Sequence, residues 1–245
     1  MSNRTRPRGR SALLAIAAAA LGVSSMAGSA AASIPDQEGT VTRSATATWT
    51  VGDPRNTTVT ITPTVVSTSA GGTVTTTRTL DVHLIQDYCN TAGGYDIWTY
   101  VDLSDTVTNT KYIEAFENGY QKAKGKVPVT LEGTITYTPM GHNGTCAVAT
   151  GPSQTDTFSA TGKVDSQWEK DSSSSPVTAL SDSDADTIDD TFTWTRDATA
   201  KGRIESRALA LKHYLLEEDA ATASLSLVAH ATDGSDPSTM FTIKP

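Results

Sequence analysis

The feature that most constrains the fold is a regular alternation of threonine with apolar side chains. Between residues 41 and 51, apolar side chains hold most of the odd positions and Thr or Ser holds the even ones. The same two-residue period recurs over residues 59–65 and 129–137. Because successive side chains of a strand point to opposite faces, each segment is predicted to be a strand with one apolar face. Pro63 cannot donate a ladder hydrogen bond, so its strand is predicted to be an edge strand.

Weaker alternation raises the number of candidate strands to ten. The weaker segments are residues 73–86, 95–103, 111–116, 157–164, 187–196, 204–216 and 222–232. Turn-forming Gly, Asn, Asp and Pro residues stand between many of these segments, where antiparallel hairpins need them. The pattern predicts an all-β protein built as an antiparallel β-sandwich with immunoglobulin-like architecture.

Two observations qualify that fold prediction. Residues 204–219 are rich in Ala and Leu and fit a helix about as well as a strand, so one short helix stays open. Trp98 follows Cys89 at a spacing that invites comparison with immunoglobulin domains, but Gly144 stands where their conserved tyrosine would precede the second cysteine, Cys146. The prediction therefore concerns sandwich architecture and not the immunoglobulin family.

The first 32 residues have the three parts of a secretory signal peptide. Arg4, Arg6, Arg8 and Arg10 precede an apolar run over residues 13–23, and Ala30 to Ala32 offer a cleavage site. The run is far shorter than the roughly 20 residues of a membrane-spanning helix. We therefore expect a mature chain that starts near Ser33, works outside the cell and has no membrane anchor once the signal is removed.

The charge of the chain bears on its partners. The whole chain has a formal net charge of −8, and the leader holds four arginines and no acidic residue, so the mature chain is more acidic still. Such a chain repels nucleic acid, which excludes it as a partner. The expected partner is a polymer or protein of the cell exterior.

Cys89 and Cys146 are the only two cysteines. In an exported protein an even pair predicts a disulfide, whose long loop would stabilise the fold by about 4 kcal/mol in the chain-entropy treatment. The absence of a C-x-x-C motif argues against a redox role, and the lack of histidines at ligand spacing argues against zinc.

Residues 169–190 form a Ser- and Asp-rich break, predicted to be a long loop or linker. It separates a sandwich core over residues 33–168 from C-terminal strands over 191–245, which we expect to complete the same sandwich; one or two domains remain open. The break ends in five aspartates, Asp182, Asp184, Asp186, Asp189 and Asp190. They could bind Ca²⁺, which is the one cofactor considered, or they could form a solvated acidic loop.

Two further sets of residues are candidates for binding. A basic, aromatic hairpin could hold an anionic polymer or could simply guard a sheet edge; its residues are Lys111, Tyr112, Phe116, Tyr120, Lys122, Lys124 and Lys126. Trp168 stands among polar residues and is either an exposed platform for a sugar ring or the anchor of a loop.

No catalytic motif is present, and His83, His213 and His230 lie in strand-like or helix-like runs that predict structural roles. The prediction is a secreted, non-catalytic protein that binds or has a structural role at the cell exterior. Three alternatives stay open. They are a calcium-dependent or aromatic-platform carbohydrate-binding module, a hydrolase with an Asp/Glu pair, and an enzyme inhibitor that presents the turn at residues 141–144.

Overall fold

The computed structural model describes residues 37–51, 54–91, 95–108, 126–142, 144–170, 177–181, 190–216 and 220–237. The predicted signal peptide lies outside these residues. Residues Ala31–Pro245 form one compact unit. None of the described residues belongs to a helix with the length and hydropathy that crossing a membrane requires.

Ten strands and no α-helix are present in the described residues, which confirms the all-β prediction. The strands are β1 (Gly39–Val51), β2 (Thr57–Ala70), β3 (Thr73–Asn90), β4 (Asp96–Thr108), β5 (Val127–Met140), β6 (Gln154–Lys170), β7 (Val177–Ser181), β8 (Thr191–Ser206), β9 (Leu211–Leu216) and β10 (Ala220–Ala231). In the segment for which a helix stayed open, residues 204–206 and 211–216 belong to strands and residues 207–210 form the turn between them.

The strands form one sheet that closes on itself, and not a two-sheet sandwich. From β1 to β6 each strand pairs antiparallel with the next, β6 pairs with β8, β8 with β10, and β10 with β1. The short strand β7 follows β6 along one edge of β8, and β9 precedes β10 along the other. We call this arrangement the closed sheet. The alternation of apolar and polar residues indicates only that each strand has one apolar face, which is compatible with either architecture.

The apolar face of every long strand points into the closed sheet. Burial alternates residue by residue along β1 and β2, with Val41, Trp49 and Ile61 at 0–1% exposure. On the outer face, neighbouring threonines bond each other, as the hydroxyls of Thr48 and Thr60 do at 2.9 Å. Apolar burial inside and mutual hydroxyl pairing outside together explain the repeated Thr pattern.

One local prediction is wrong, and one segment predicted to be a loop or linker contains a short strand. Pro63 does not mark an edge strand, because β2 pairs with both β1 and β3. The β1–β2 ladder instead skips the positions around Pro63, between the Ser44–Thr64 and Ala47–Ile61 pairs, which accommodates the missing N–H donor. Within the predicted linker, Val177–Ser181 forms β7 and pairs with β8.

The closed sheet has two ends, which we name for what they hold. The disulfide end is where β1, β3, β5 and β8 finish, and it carries the Cys89–Cys146 bond. The terminal end is where β1 begins and β10 finishes. There the backbone N–H of Thr232 donates to the carbonyl of Glu38 at 2.8 Å, which joins the first and last strands.

Candidate functional site

A groove with a volume of about 270 Å³ lies at the disulfide end. It is formed by the start of β4, the end of β5, the start of β6 and the loop between β5 and β6. Its lining residues are Tyr95, Asp96, Ile97, Tyr137, Pro139, Met140, Thr150 and Gln154. The lining combines exposed aromatic rings with a carboxylate, an amide and a hydroxyl, which is the composition of a small-molecule site.

The strand register explains why these side chains meet. Ile97 pairs with Pro139, and Tyr137 pairs with Gln154, so each pair stands on one face of the sheet. Tyr137 belongs to the face of β5 that is buried nearer the start of the strand, as at Leu131. At the end of the strand that face extends past the core, and Tyr137 becomes 36% exposed.

The loop over residues 141–153 is fixed at several points. The disulfide joins Cys146 to Cys89 at the end of β3, which confirms the predicted pairing. The Gly144 N–H donates to Asp96 Oδ2 at 2.6 Å, and His142 Nδ1 lies 3.4 Å from Asp96 Oδ1. Asp96 is 1% exposed beneath this loop. These contacts hold one wall of the groove in a fixed position.

Two tyrosines give the groove its binding chemistry. Tyr95 is 76% exposed and Tyr137 is 36% exposed, so both rings are available to a ligand. Gln154 and Thr150 are exposed beside them. An aromatic face with hydrogen-bonding groups at its border suits a ligand that is apolar on one face and polar at its rim.

The turn between β8 and β9 is held in place at the disulfide end by two side-chain hydrogen bonds. The Leu209 carbonyl accepts hydrogen bonds from Arg55 Nη1 at 3.2 Å and from Gln86 Nε2 at 3.3 Å. Leu209 itself is 2% exposed, and the Arg55 guanidinium lies over the ring of Tyr88.

The structure places Trp168 differently from the exposed platform considered above. Trp168 is 0% exposed and points into the closed sheet from β6. The polar residues around it alternate with it along the strand, so those at odd positions, such as Asp165 and Gln167, lie on the outer face. An exposed sugar platform at Trp168 is therefore wrong.

The other predicted site residues fall mainly outside the described residues. Those outside are Lys111, Tyr112, Phe116, Tyr120, Lys122, Lys124, Asp182, Asp184, Asp186 and Asp189. Lys126 is described and bonds Glu205 at 2.9 Å. Asp190 is described, is 7% exposed and accepts the Thr191 hydroxyl at 3.3 Å. No three potential metal-ligating side chains converge in the described part of the chain, and the calcium prediction stays a prediction.

One pair on the outer face resembles part of a catalytic arrangement. His83 Nε2 lies 2.8 Å from Asp102 Oδ1, and Ser104 stands directly across from His83. The His83 and Asp102 side chains are 46% and 44% exposed, out in the solvent on the outer face. A nucleophile there would lack the preorganised donors that acyl transfer needs.

The sequence reasoning missed Tyr95 and Tyr137. Tyr137 fits the alternation as a core position, and nothing in the local pattern shows that the core ends before it. Tyr95 follows Gly93 and Gly94, a turn signal that hides its role. Comparison with protein-family models, with curated proteins and with solved structures gives no match, so function is argued from the site alone.

Proposed function

We propose that this chain is an exported, non-catalytic binding protein that holds a neutral sugar ring in the groove at the disulfide end. The observation that carries the proposal is the pair of exposed tyrosines, Tyr95 and Tyr137, fixed beside hydrogen-bonding side chains. A sugar ring is apolar on its C–H faces and polar at its edge, which matches this lining. The volume of the groove suits a ligand of one or two sugar rings.

Export is supported by the leader and by the disulfide. The leader has the order of charge, apolar run and small residues that secretion requires. The Cys89–Cys146 bond is of a kind that persists mainly in oxidising compartments. Both features favour a binding partner at the cell exterior.

The number of carboxylates in the groove favours a binding role over hydrolysis. Glycoside hydrolysis commonly needs two carboxyl groups on opposite sides of the scissile bond. Asp96 is the one acidic residue among the described lining residues, and its Oδ2 already accepts the Gly144 N–H. The groove therefore offers stacking and hydrogen bonding without an acid/base pair.

Calorimetric titration of the purified protein with cello-, malto- and chito-oligosaccharides tests the proposal. We expect at least one neutral series to bind, Tyr137→Ala to lose about tenfold in affinity, and Tyr137→Phe to retain most of it because the ring remains. Val74→Ala is the control, since Val74 is an exposed apolar residue in the β2–β3 hairpin at the other end. Absence of binding to every series, or equal affinities for Tyr137→Ala and wild type, would contradict the proposal.

A second candidate, an enzyme inhibitor, is favoured by the rigid loop that carries Val148. The Gly141 N–H donates to the Val148 carbonyl at 2.8 Å, and the Val148 side chain is 63% exposed near the disulfide. A fixed loop with an exposed apolar side chain is suited to inserting into an enzyme pocket. Residual activity of secreted serine proteases incubated with wild type and Val148→Asp separates the two candidates, because only inhibition requires Val148.

A further inference from the structure

Trp98 and Tyr100 form an aromatic pair on the outer face of β4. They alternate with Thr99 and Val101, which are 2% exposed and point inward, so both rings lie outside the closed sheet and are partly exposed. The two rings are nearly parallel, at an interplanar angle of 22°, and their centroids are 5.9 Å apart. Together they give the wall of the closed sheet an aromatic surface that is separate from the core.

Two carboxylates flank this aromatic pair. Asp87 stands directly across from Tyr100 on β3, and its Oδ1 accepts the Trp98 Nε1–H at 2.5 Å. Asp102 follows Tyr100 by two positions on the same face of β4, which is about 7 Å along the strand. Its side chain is 44% exposed, and its Oδ1 lies 2.8 Å from His83 Nε2. Negative charge therefore adjoins the pair both across the ladder and along the strand.

The wall around the pair adds further negative charge. The outward-facing positions of β3 and β5 also include Asp81 and Glu132. The described strands β2 to β5 contain no lysine, and their one arginine, Arg78, lies on the inward-facing side of β3. This part of the wall therefore attracts cations and repels anions.

Aromatic faces and carboxylates both attract organic cations. A guanidinium is planar, so it can stack on an aromatic ring while its N–H groups donate to a carboxylate beside that ring. Alternate side chains of an extended peptide stand about 7 Å apart, which is also the spacing of successive outward positions on β4. Because β3 and β4 are each paired on both sides, such a peptide would bind through its side chains and not by adding a strand.

We propose that the aromatic pair and its flanking carboxylates, Asp87 and Asp102, bind an extended, arginine-bearing segment of a partner protein. The guanidinium groups stack on the two rings and pair with the two carboxylates. This surface shares no residue with the lining of the groove at the disulfide end, and the inference does not depend on the sugar proposal.

Fluorescence titration with a peptide of alternating arginine and glycine tests the inference. The other three tryptophans, Trp49, Trp168 and Trp194, are 0–1% exposed, so a change in emission on binding reports Trp98. We expect the arginine peptide to bind wild type and the equivalent lysine peptide to bind more weakly, because an ammonium group cannot stack flat on a ring. The equivalent glutamine peptide, which has no charge, should not bind.

Substitutions separate this surface from the general attraction of an acidic chain for cations. At constant ionic strength we expect Tyr100→Ala to lower the affinity about tenfold and Tyr100→Phe to retain it, because the ring is what stacks. Asp87→Asn should lower the affinity more than Asp197→Asn, which removes the same charge from an exposed position on β8. The new amide oxygen at position 87 can still accept the Trp98 N–H, so the ring stays in place.

Circular dichroism of each variant checks that it is folded. The inference is overturned if the arginine peptide does not bind wild type, or if the glutamine peptide binds as tightly. It is also overturned if Tyr100→Ala keeps the wild-type affinity, or if Asp87→Asn and Asp197→Asn weaken binding equally. Tighter binding of a chitosan oligosaccharide, whose cations are ammonium groups on sugar rings, would overturn the assignment to a peptide.

Discussion

Gly133 lies where β4 and β5 approach too closely for a side chain. A Cβ placed there would collide with the Asp102 carbonyl oxygen and would lie 3.1 Å from the Leu103 Cα, and both are backbone atoms that cannot rotate away. We expect Gly133→Ala to lower the free energy of unfolding by about 2 kcal/mol or more. Urea denaturation measures this, with Gly151→Ala as control because its Cβ would come no closer than 3.5 Å to Pro139. Equal midpoints for the two variants would contradict the expectation.

Asp233 gives the terminal end a dependence on pH. The hydrogen bond from the Ser235 hydroxyl lowers the pKa of Asp233 below its ordinary value of 3.8, helped by the Glu38 and Ser235 backbone N–H groups and opposed by burial. A carboxyl whose pKa is lowered by folding stabilises the fold above 3.8, and that contribution is lost as the pH falls through the lower folded-state pKa. We therefore expect the Tm difference between wild type and Asp233→Asn to shrink between pH 5 and the acid limit. A Tm difference that stays constant over this range would contradict the expectation.

At the scale of elements, strict alternation of apolar and polar residues was sufficient to predict a strand. Local amino-acid composition, by contrast, led to wrong expectations. β1, β2 and β5 were predictable because every second residue is apolar over many positions. β7 was not, because its five residues lie in Ser- and Asp-rich surroundings and its pairing with β8 cannot be read from its own sequence. The polar neighbours of Trp168 led to the two predictions of an exposed platform and a loop anchor, although Val164, Ser166 and Trp168 share the inward period.

The loop between β5 and β6 depends on the disulfide that ties it to β3. Replacing both Cys89 and Cys146 by serine should lower the free energy of unfolding by about 4 kcal/mol, the chain-entropy estimate for a sequence separation of 57. Hydrogen exchange should rise over residues 141–153 and stay unchanged in β1, because only the loop loses its anchor. Wild type treated with reductant is the control for the serine side chains. Unchanged exchange in the loop would show that its hydrogen bonds hold it without the disulfide.

At the scale of the whole molecule, sequence patterns could not separate a sandwich from a closed sheet. Both bury one face of each strand, and the distinction depends on whether β1 pairs with the last strand, a contact between residues nearly 200 positions apart such as Gly39 and Ala231. The position of the candidate groove could not be predicted from the sequence for the same reason. The Cys89–Cys146 pair was predictable, but the place where the core ends and Tyr137 becomes exposed is a consequence of closure.

Closure predicts how the molecule responds to losing its last strand. β10 pairs with β1 along one side and with β8 along the other, so its removal leaves two long strands with unpaired edges and opens the core. We expect a chain ending at residue 219 to aggregate, because exposed edges pair with other molecules. A chain ending at residue 237 keeps β10 and the Thr232–Glu38 contact and should remain monodisperse with a wild-type Tm. Size-exclusion chromatography and far-ultraviolet circular dichroism measure both. A stable, monodisperse chain ending at residue 219 would show that the remaining strands fold without β10, and therefore that closure is not what holds the sheet together.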